Sequence, residues 1–425
     1  MKAESKSEKC DGDHPLYGLL TSNGRNDVSS GMVKRSLQAV RVHLGMEVAY
    51  VSQFVGDRTV FREVDAPGLE HVIKVGDSMS LDDVYCRHIL EGRLPQLIAD
   101  TSTQPVAASM PITRAIPIGK HLSVPVRLPD GTVYGMFCCV GLKADPSLHQ
   151  RDLQVMKVFA DLAAFEIGRE IETAKITADK RERIESIIEK GQMSIAYQPI
   201  WRLANDRPIG FECLARIATE PRRSPDKWFA DAAEAGLDTM LELAAIERGL
   251  TALEALPWDV YVAVNVSPKT ILSAALQNLL SGMPAERIVL EITEHAHVDD
   301  YDALLGALQP LRKNGMRLAV DDAGAGYSGL QHILQIRPDL IKLDMTLTRH
   351  INLDPARKAL ASALVAFARD TGSGIIAEGV ETASELETLR GLGIEKAQGY
   401  FLGRPTPIVD AVKLLRRQTA AQRVA

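Results

Sequence analysis

The repetitive second half of the chain limits the possible folds most strongly. From Gly191 onward, short β-like runs alternate with amphipathic helical segments, and eight such runs fall within about 220 residues. This alternation is typical of a (β/α)8 barrel, and the alternative, a doubly wound open sheet, usually has fewer strands. We therefore predict a barrel over residues 191–425. The β-like runs are MSIAYQPI, IGFECLARI, VYVAVNVS, RIVLEITE, MRLAVDD, LIKLD, GIIAEG and EKAQGYFL.

The segment that precedes the barrel has a different pattern. Between Gly31 and Gly141 a helical stretch is followed by several β-like runs that are rich in β-branched and aromatic residues. Pro129–Gly131 separates the runs LSVPVRL and TVYGMFCCVGL, and an Asp-Gly pair in this setting predicts a hairpin. We predict an α+β domain with an antiparallel sheet over residues 28–147, after a flexible polar tail over residues 1–27.

Residues 148–190 predict a helical linker between the two domains, formed by one long helix or by two in line. This stretch contains no proline and a single glycine, Gly168. One small domain cannot bury so long a helix, whereas pairing with the same helix of a second chain would bury its apolar seam. The pattern therefore favours a homodimer.

The composition restricts the classes of partner. The chain is 46% hydrophobic and 24% charged, and its formal net charge is −6. These values are typical of a soluble globular protein, and they give no indication of a broad basic surface for a nucleic-acid polymer. Any nucleotide partner should therefore be small and bound in a local pocket.

The sequence also favours a cytoplasmic protein with no membrane partner. Its first residues, MKAESKSEKCDGDH, lack the apolar core of a signal peptide, and the longest apolar runs fall far short of the roughly 20 residues that span a bilayer. The five cysteines are odd in number and show no CxxC spacing, which fits a reducing compartment better than a disulfide framework.

Polar side chains lie at the ends of nearly all the predicted barrel strands. Because the carboxyl ends of barrel strands meet at one mouth, these side chains should converge. A turn residue, a helix-cap neighbour or a surface lysine would explain each one alone, but their recurrence favours a shared site. They are Glu212, Asn265, Glu291, Glu294, Asp321, Asp322, Lys342, Asp344, Glu378, Glu381 and Gln398.

Such a concentration of carboxylates predicts bound cations, because neighbouring desolvated carboxylates cannot all remain ionised. Oxygen ligands without His or Cys select Mg²⁺ or Mn²⁺ over Zn²⁺. The adjacent Asp321 and Asp322 make two ions plausible, and an ion pair of this kind suits in-line attack of water on a phosphodiester. Lys342 could orient the water or offset phosphate charge.

Eight motifs in this region resemble those of the EAL-domain cyclic-di-GMP phosphodiesterases, in the same order, from about Glu189 to the C-terminus. The resemblance implies a Mg²⁺- or Mn²⁺-dependent hydrolase that opens cyclic di-GMP to linear pGpG. The motifs are YQPI, GFECLAR, VNVSP, LEITE, VDDAGAGYSGL, IKLD, AEGVET and AQGYFLGRP.

The resemblance also implies roles for the matching residues. The first ion would be held by Glu212, Asn265, Glu291 and Asp321, and the second by Asp321, Asp322 and Glu378. Glu212 and Glu378 would be catalytic together with Lys342, which would contact the attacking water, and Glu294 would brace the loop after Asp322. The substrate would be bound by Gln198, Leu214, Arg216, Glu381 and Gln398, and we add Asp344 to this set.

Two departures from the family pattern bear on activity. Cys213 replaces the usual alanine of the signature, a tolerable change because both residues are small and apolar. Ala323 and Gly329 replace a phenylalanine and a serine in the loop after the paired aspartates, which should remove an anchor and add flexibility. This loop keeps open a second hypothesis, a catalytically weak cyclic-di-GMP receptor that signals through a dimeric helix.

The front domain resembles a GAF sensory domain through two stretches, SMSLDDVYCRHILEGRLPQLIAD and SVPVRLPDGTVYGMFCCVG. GAF domains bind small molecules or act as dimerisation modules, so the resemblance implies a regulatory domain whose small-molecule ligand is unknown.

Overall fold

The computed structural model describes residues 28–293, 298–323 and 333–422. The predicted tail over residues 1–27 therefore lies outside the described residues. The chain divides into two compact units, Met1–Ile176 and Thr177–Ala425. Across the described segments, none of the helices combines the length and the apolar character that crossing a membrane requires.

The first unit is built on a six-stranded sheet with the order β3-β2-β1-β6-β5-β4. All of its neighbouring strands pair antiparallel, so the predicted α+β domain is confirmed. The hairpin expected at Pro129–Gly131 joins β5 to β6, and Gly131 has a φ of +87° that favours glycine. The strands are β1 (Val48–Val55), β2 (Arg58–Asp65), β3 (Ser78–Ser80), β4 (Leu97–Ile98), β5 (Lys120–Arg127) and β6 (Val133–Gly141).

Helices cover both faces of this sheet. Two long helices pack on one face, where Leu37 and Met156 lie in the same core as Val51. Three short helices cover the other face, where Tyr85 and Cys86 share a core with Cys138. The first unit thus has two apolar cores on one sheet. Its helices are α1 (Val28–His43), α2 (Tyr85–Leu90), α3 (Pro105–Ser109), α4 (Pro111–Ala115) and the first part of α5 (Gln150–Glu189).

The linker region forms one continuous helix, α5, of 40 residues. Its first turns bury Leu153, Met156 and Ala163 against the sheet of the first unit. Its last turns bury Ile184 and Ile187 in a core of the second unit, beside Trp228. The helix is therefore anchored at each end by a separate hydrophobic core.

The second unit contains a closed eight-stranded barrel with the order β10-β11-β12-β13-β14-β7-β8-β9, which confirms the predicted fold. A ring of buried apolar side chains, including Ile200, Ala263 and Ile376, fills its interior. The strands are β7 (Met193–Arg202), β8 (Arg207–Ile217), β9 (Tyr261–Asn265), β10 (Ile288–Thr293), β11 (Arg317–Ala323), β12 (Leu340–Leu343), β13 (Gly374–Ala377) and β14 (Lys396–Ala397).

The first barrel strand departs from a regular (β/α)8 arrangement. β7 runs antiparallel to both of its neighbours, β8 and β14, whereas the other neighbouring strands pair parallel. The connection from Arg202 to Arg207 is the reason, because a parallel crossover needs a dozen or more residues and a hairpin does not.

Helices surround the barrel and bury the outward-facing strand residues. Two large cores lie between the strands and these helices, one around Leu250 and Leu304 and the other around Leu364 and Leu389. The helices of this unit are α6 (Pro225–Glu234), α7 (Asp238–Leu250), α8 (Ala252–Ala255), α9 (Pro268–Ile271), α10 (Ala274–Leu280), α11 (Tyr301–Lys313), α12 (Met345–Thr348), α13 (Pro355–Thr371), α14 (Ala383–Gly391) and α15 (Ile408–Gln422).

Candidate active site

A buried lysine lies at the centre of the barrel mouth. Lys342 in β12 has no solvent exposure, and its Nζ lies 2.9 Å from Glu291 Oε2 and 2.9 Å from Glu378 Oε1. Asp321 Oδ2 is 3.1 Å from the same nitrogen, and Glu212 Oε2 is 3.6 Å away. The structure therefore brings four of the predicted carboxylates together around one ammonium group.

The cluster contains more negative than positive charge. Burial raises the pKa of Glu291 to about 8; Lys342 opposes this rise, and Glu212 adds to it. Burial also raises the pKa of Glu378, again against the influence of Lys342. For Lys342, burial favours a lower pKa, but the surrounding carboxylates outweigh it and raise the pKa above its usual range. Additional cations are thus needed if all four carboxylates are to be ionised.

The carboxylates form two overlapping groups that suit metal ions. Glu212, Glu291 and Asp321 place one oxygen each within 4.8 Å of one another. Asp321, Asp322 and Glu378 do the same, so Asp321 belongs to both groups. The Oε1 atom of Glu291 is buried without a hydrogen-bond partner, which leaves a free acceptor inside the cluster. A purely oxygen donor set of this kind fits Mg²⁺ or Mn²⁺.

Backbone geometry explains how two neighbouring aspartates can both face this site. Side chains of consecutive strand residues normally point to opposite faces. The pairing of β11 with β12 shifts register between Val320 and Ala323, and Asp322 has a φ of +60°. The backbone N–H of Asp322 also donates to Asp321 Oδ1 at 2.9 Å. This left-handed turn at the end of β11 brings both carboxylates into one metal-ligand group.

Two glutamine side chains hold Glu212 in position. The Nε2 atom of Gln398 donates to Glu212 and to Gln198 Oε1, the latter at 3.2 Å. Gln198 in turn donates to the carbonyl of Gly403 at 3.3 Å. On the other side of the carboxylate, Asn265 Nδ2 lies 3.4 Å from Glu212 Oε1. Glu212 and Gln198 occupy the middle of their strands, so the expectation that Glu212 ends its strand is wrong.

A groove of about 660 Å³ adjoins the cluster. Two of the predicted substrate residues, Leu214 and Arg216, line it together with Asn265 and Glu291. The Arg216 side chain is exposed, and its Nη1 donates to the carbonyl of Ala215 at 2.8 Å. The groove therefore meets the carboxylate cluster at Glu291 and has an exposed cation at its wall.

Comparison with known proteins identifies this unit. A family model described as the EAL domain matches residues 181–405, which is just over half of the chain. The chain belongs to the EAL domain family. A second family model, described as a GAF domain, matches residues 29–167, so the front unit is a GAF domain.

The similar proteins include both uncharacterised and named members. A protein from Sinorhizobium fredii, the uncharacterised y4lL, is 33% identical over 261 residues, which cover 58% of this chain and 31% of that protein. The cyclic di-GMP phosphodiesterase NbdA of Pseudomonas aeruginosa is 29% identical over 247 residues, or 55% of this chain and 32% of that protein. The chain thus spans about a third of the length of these curated relatives.

Solved structures share the fold. The PaMucR phosphodiesterase in complex with c-di-GMP is 28% identical, with a TM-score of 0.50, and the match covers 55% of this chain and 99% of that chain. The cGMP-bound form of the EAL enzyme Bd1971 is 18% identical, with a TM-score of 0.54, and the match covers 87% of this chain and 94% of that chain. At 18% identity, the match to Bd1971 indicates similarity of fold alone.

Other predicted residues of the EAL domain have separate structural partners. Asp344 caps α12, since its Oδ1 accepts the backbone N–H of Thr346 at 2.8 Å. The carboxylate of Glu381 forms an ion pair with Arg349. Neither side chain belongs to the Lys342 cluster. The buried Glu385 accepts the backbone N–H groups of Glu381 and Thr382, both at 2.9 Å, and so fixes the loop that follows Glu378.

Two predictions about the loops fall partly or wholly on residues that the structure does not describe. Glu294 lies outside the described residues, as does Gly329. Ala323 is described, and it is buried at the end of β11, where it pairs with Leu343. The effect of the altered loop on activity therefore stays a prediction.

Sequence reasoning missed part of the groove wall. Phe229, Asp238 and Lys269 line the groove, and Lys269 Nζ binds both carboxylate oxygens of Asp238 at 2.8 Å. These residues belong to helices α6, α7 and α9. A search confined to strand ends could not find them, although Lys269 directly follows the VNVSP motif.

Cys213 has the environment of a packing residue. Its side chain is buried, and burial raises the pKa of the thiol well above its usual range, with Glu212 and Glu291 adding to the rise. A thiol that stays protonated is a poor nucleophile. The sulfur instead packs against Gly249, where an added Cβ atom would lie 3.1 Å from it.

The GAF domain contains a cavity of about 200 Å³ with a mainly apolar wall. Phe61, Ile118 and Val140 are among the lining residues, and no Lys, Arg, Asp or Glu lines it in the described part of the chain. The polar lining groups include His121, whose Nδ1 is buried without a hydrogen-bond partner. Such a cavity can accept an uncharged, mainly apolar molecule that offers one polar contact.

Proposed function

We propose that this protein hydrolyses cyclic di-GMP to linear pGpG with Mg²⁺ or Mn²⁺. The observation that carries the proposal is the pair of carboxylate groups that share Asp321 and surround the Nζ of Lys342. The named relatives that act on cyclic di-GMP and the EAL-domain match support the choice of substrate.

The metal ligands in this proposal are the predicted ones. Glu212, Asn265, Glu291 and Asp321 would hold one ion, and Asp321, Asp322 and Glu378 would hold the other. When bound, the ions would supply an acidified water and neutralise the charge of the phosphodiester.

The protein groups would position the reactants around that centre. Lys342 lies within reach of four carboxylates, so its ammonium group can hold the attacking water in place and offset charge on the phosphate. Gln398 and Gln198 would keep Glu212 from rotating. Arg216, exposed at the groove wall, would bind the dinucleotide phosphate.

Turnover of cyclic di-GMP by the full-length protein tests this proposal. We expect Mn²⁺- or Mg²⁺-dependent formation of pGpG, and we expect Glu212→Gln to abolish it while Glu387→Gln, an exposed carboxylate of α14, leaves it intact. Tight binding of cyclic di-GMP without turnover would instead favour the receptor hypothesis. Absence of both binding and turnover would contradict both functions.

We further propose that the GAF domain regulates this activity by binding an uncharged, mainly apolar small molecule. The support is the mainly apolar cavity, whose lining includes His121, a residue with an unpartnered buried nitrogen. A charged ligand such as a nucleotide would lose its hydration without gaining a charged partner in the described lining. Saturable binding of the uncharged fluorescent probe N-phenyl-1-naphthylamine, together with a change in hydrolysis rate, tests this proposal.

We also propose a cytoplasmic homodimer. The four described cysteines are buried free thiols, as a reducing compartment allows. On α5, Val158, Leu162 and Phe165 are 59%, 47% and 63% exposed, and their spacing of four and three residues forms one apolar seam. Sedimentation analysis should find a dimer that Phe165→Glu disrupts and that Val55→Glu, at another exposed apolar position, does not.

A further inference from the structure

The end of the barrel opposite the carboxylates carries three cations that face its interior. Lys396 neighbours Ile376, and Arg317 neighbours Val289, in the strand registers. Both apolar partners belong to the core inside the barrel, and side chains of neighbouring strand residues share a face. Arg202 lies directly opposite Lys396 across the antiparallel pair of β7 and β14. Its side chain therefore lies on the same face of the sheet as those of Lys396 and Arg317.

These three side chains lack the ion pairs that other cations at this end form. Arg207 binds Asp259 at 2.7 Å, and Arg312 binds Asp339 at 3.3 Å. Within the described ranges, Arg202, Arg317 and Lys396 form no ion pair and no side-chain hydrogen bond. Arg317 instead places its guanidinium 4.4 Å from the ring centre of Tyr261.

Arg317 and Lys396 are half-buried, whereas Arg202 is exposed at the rim of this end. Lys396 Nζ lies 2.9 Å from the point that a Cβ atom on Gly374 would occupy, so the amine uses space that the glycine leaves open. Burial lowers the pKa of Lys396; Glu395 opposes this effect, and Arg317 and Arg202 add to it. The Tyr261 side chain, in the same end of the barrel, is buried, and its hydroxyl has no hydrogen-bond partner in the described structure.

Like charges that face each other across an antiparallel pair destabilise a sheet. Here Lys396 faces Arg202, and the charge of Arg317 also acts on the Lys396 amine. Glu395 is the one carboxylate that acts on this amine, and among the described residues it does not come within ion-pair distance of any of the three cations. An anion among them would remove the repulsion. Two guanidinium groups and an ammonium group match the several oxygens of a phosphoryl group better than they match a single chloride ion.

We propose that the N-terminal end of the barrel is a second ligand site, which binds a phosphate-class oxyanion between Arg202, Arg317 and Lys396. The site lies at the other end of the strands from the Lys342 cluster. It does not depend on the proposed hydrolysis of cyclic di-GMP. Its ligand is inorganic phosphate or the phosphoryl group of a small ester.

Calorimetric titration of the metal-free, full-length protein with inorganic phosphate tests this site, with potassium chloride at equal ionic strength as the reference. The comparison uses Arg202→Gln/Lys396→Gln and, as a matched control, Lys358→Gln, which removes an exposed charge on α13. We expect saturable binding to the wild type and to the control, and at least about tenfold weaker binding to the double variant.

Glycerol 3-phosphate, titrated in parallel, distinguishes the two sources of the phosphoryl group. Binding of both probes supports a site open to esters, and binding of phosphate alone supports a site for the free ion. Absence of saturable binding to the wild type overturns the proposal, as does equal affinity of the double variant. If the double variant is unfolded by circular dichroism, the single exposed substitution Arg202→Gln replaces it, with weaker binding again expected.

Discussion

The carboxylate cluster of the EAL domain and the cavity of the GAF domain differ in the charge of the residues that form them. Around Lys342, four carboxylates lie in the barrel mouth with one ammonium group among the described residues. In the GAF cavity, the described lining carries no charged Lys, Arg, Asp or Glu, and His121 offers one unpartnered nitrogen. The first site thus concentrates negative charge around one cation, whereas the second has a mainly apolar lining. Substitutions should therefore affect metal-dependent chemistry in one unit and ligand binding in the other.

The largest effect is expected for Asp321→Asn. Asp321 belongs to both carboxylate groups, so its loss should impair both metal sites at once. We expect hydrolysis of cyclic di-GMP to fall by about 10³-fold or more. Asp370→Asn, on the exposed surface of α13, is the control and should change the rate by less than about twofold. A rate in Asp321→Asn that matches the control would show that the cluster is not the reaction centre.

Lys342→Met should lower kcat by about 10²-fold to 10³-fold. Methionine fills a similar volume and leaves the carboxylates in place. It cannot, however, hold a water molecule or offset the charge of the phosphate. Metal binding should therefore persist while turnover falls, and steady-state kinetics beside a Mn²⁺ titration separates the two. If kcat were unchanged, Lys342 would be a structural counter-ion and not a catalytic residue.

Gln398→Leu should act through Glu212. Because the Gln398 amide donates to this carboxylate, its removal frees the carboxylate to rotate. We expect metal affinity to weaken by about 10-fold to 100-fold, with a smaller loss of rate at saturating Mn²⁺. A loss that excess metal does not relieve would argue instead for a direct contact between Gln398 and the substrate.

The smallest effect on chemistry is expected for Ile118→Phe in the GAF cavity. The larger side chain should occupy space in the cavity wall and abolish binding of N-phenyl-1-naphthylamine. Basal hydrolysis should stay within about twofold, because the substitution does not touch the EAL cluster. If Ile118→Phe still bound the probe, N-phenyl-1-naphthylamine would bind at a site other than this cavity.

The barrel fold could be predicted from the sequence because eight β-like runs alternate with amphipathic helical segments. The convergence of Glu291, Asp321 and Glu378 on Lys342 follows from that fold, because the carboxyl ends of barrel strands meet at one mouth. Glu212 reaches the same lysine from the middle of its strand, a position that the sequence did not predict.

Other features depend on geometry that a residue pattern does not specify. The antiparallel direction of β7 follows from its short connection to β8 and not from its apolar pattern. The turn at Asp322 depends on a φ of +60° and a register shift, neither of which two adjacent aspartates reveal. Asp238 and Lys269 reach the groove from helices, because the helices pack over the strand ends.

The measurement that tests the central claim most directly is the number of Mn²⁺ ions bound per chain during turnover of cyclic di-GMP. We predict two ions for the wild type and fewer for Asp321→Asn, with hydrolysis lost in parallel. Hydrolysis without bound metal, or equal metal content and equal rate in both proteins, would contradict the account of Asp321 as the shared ligand of a two-metal centre.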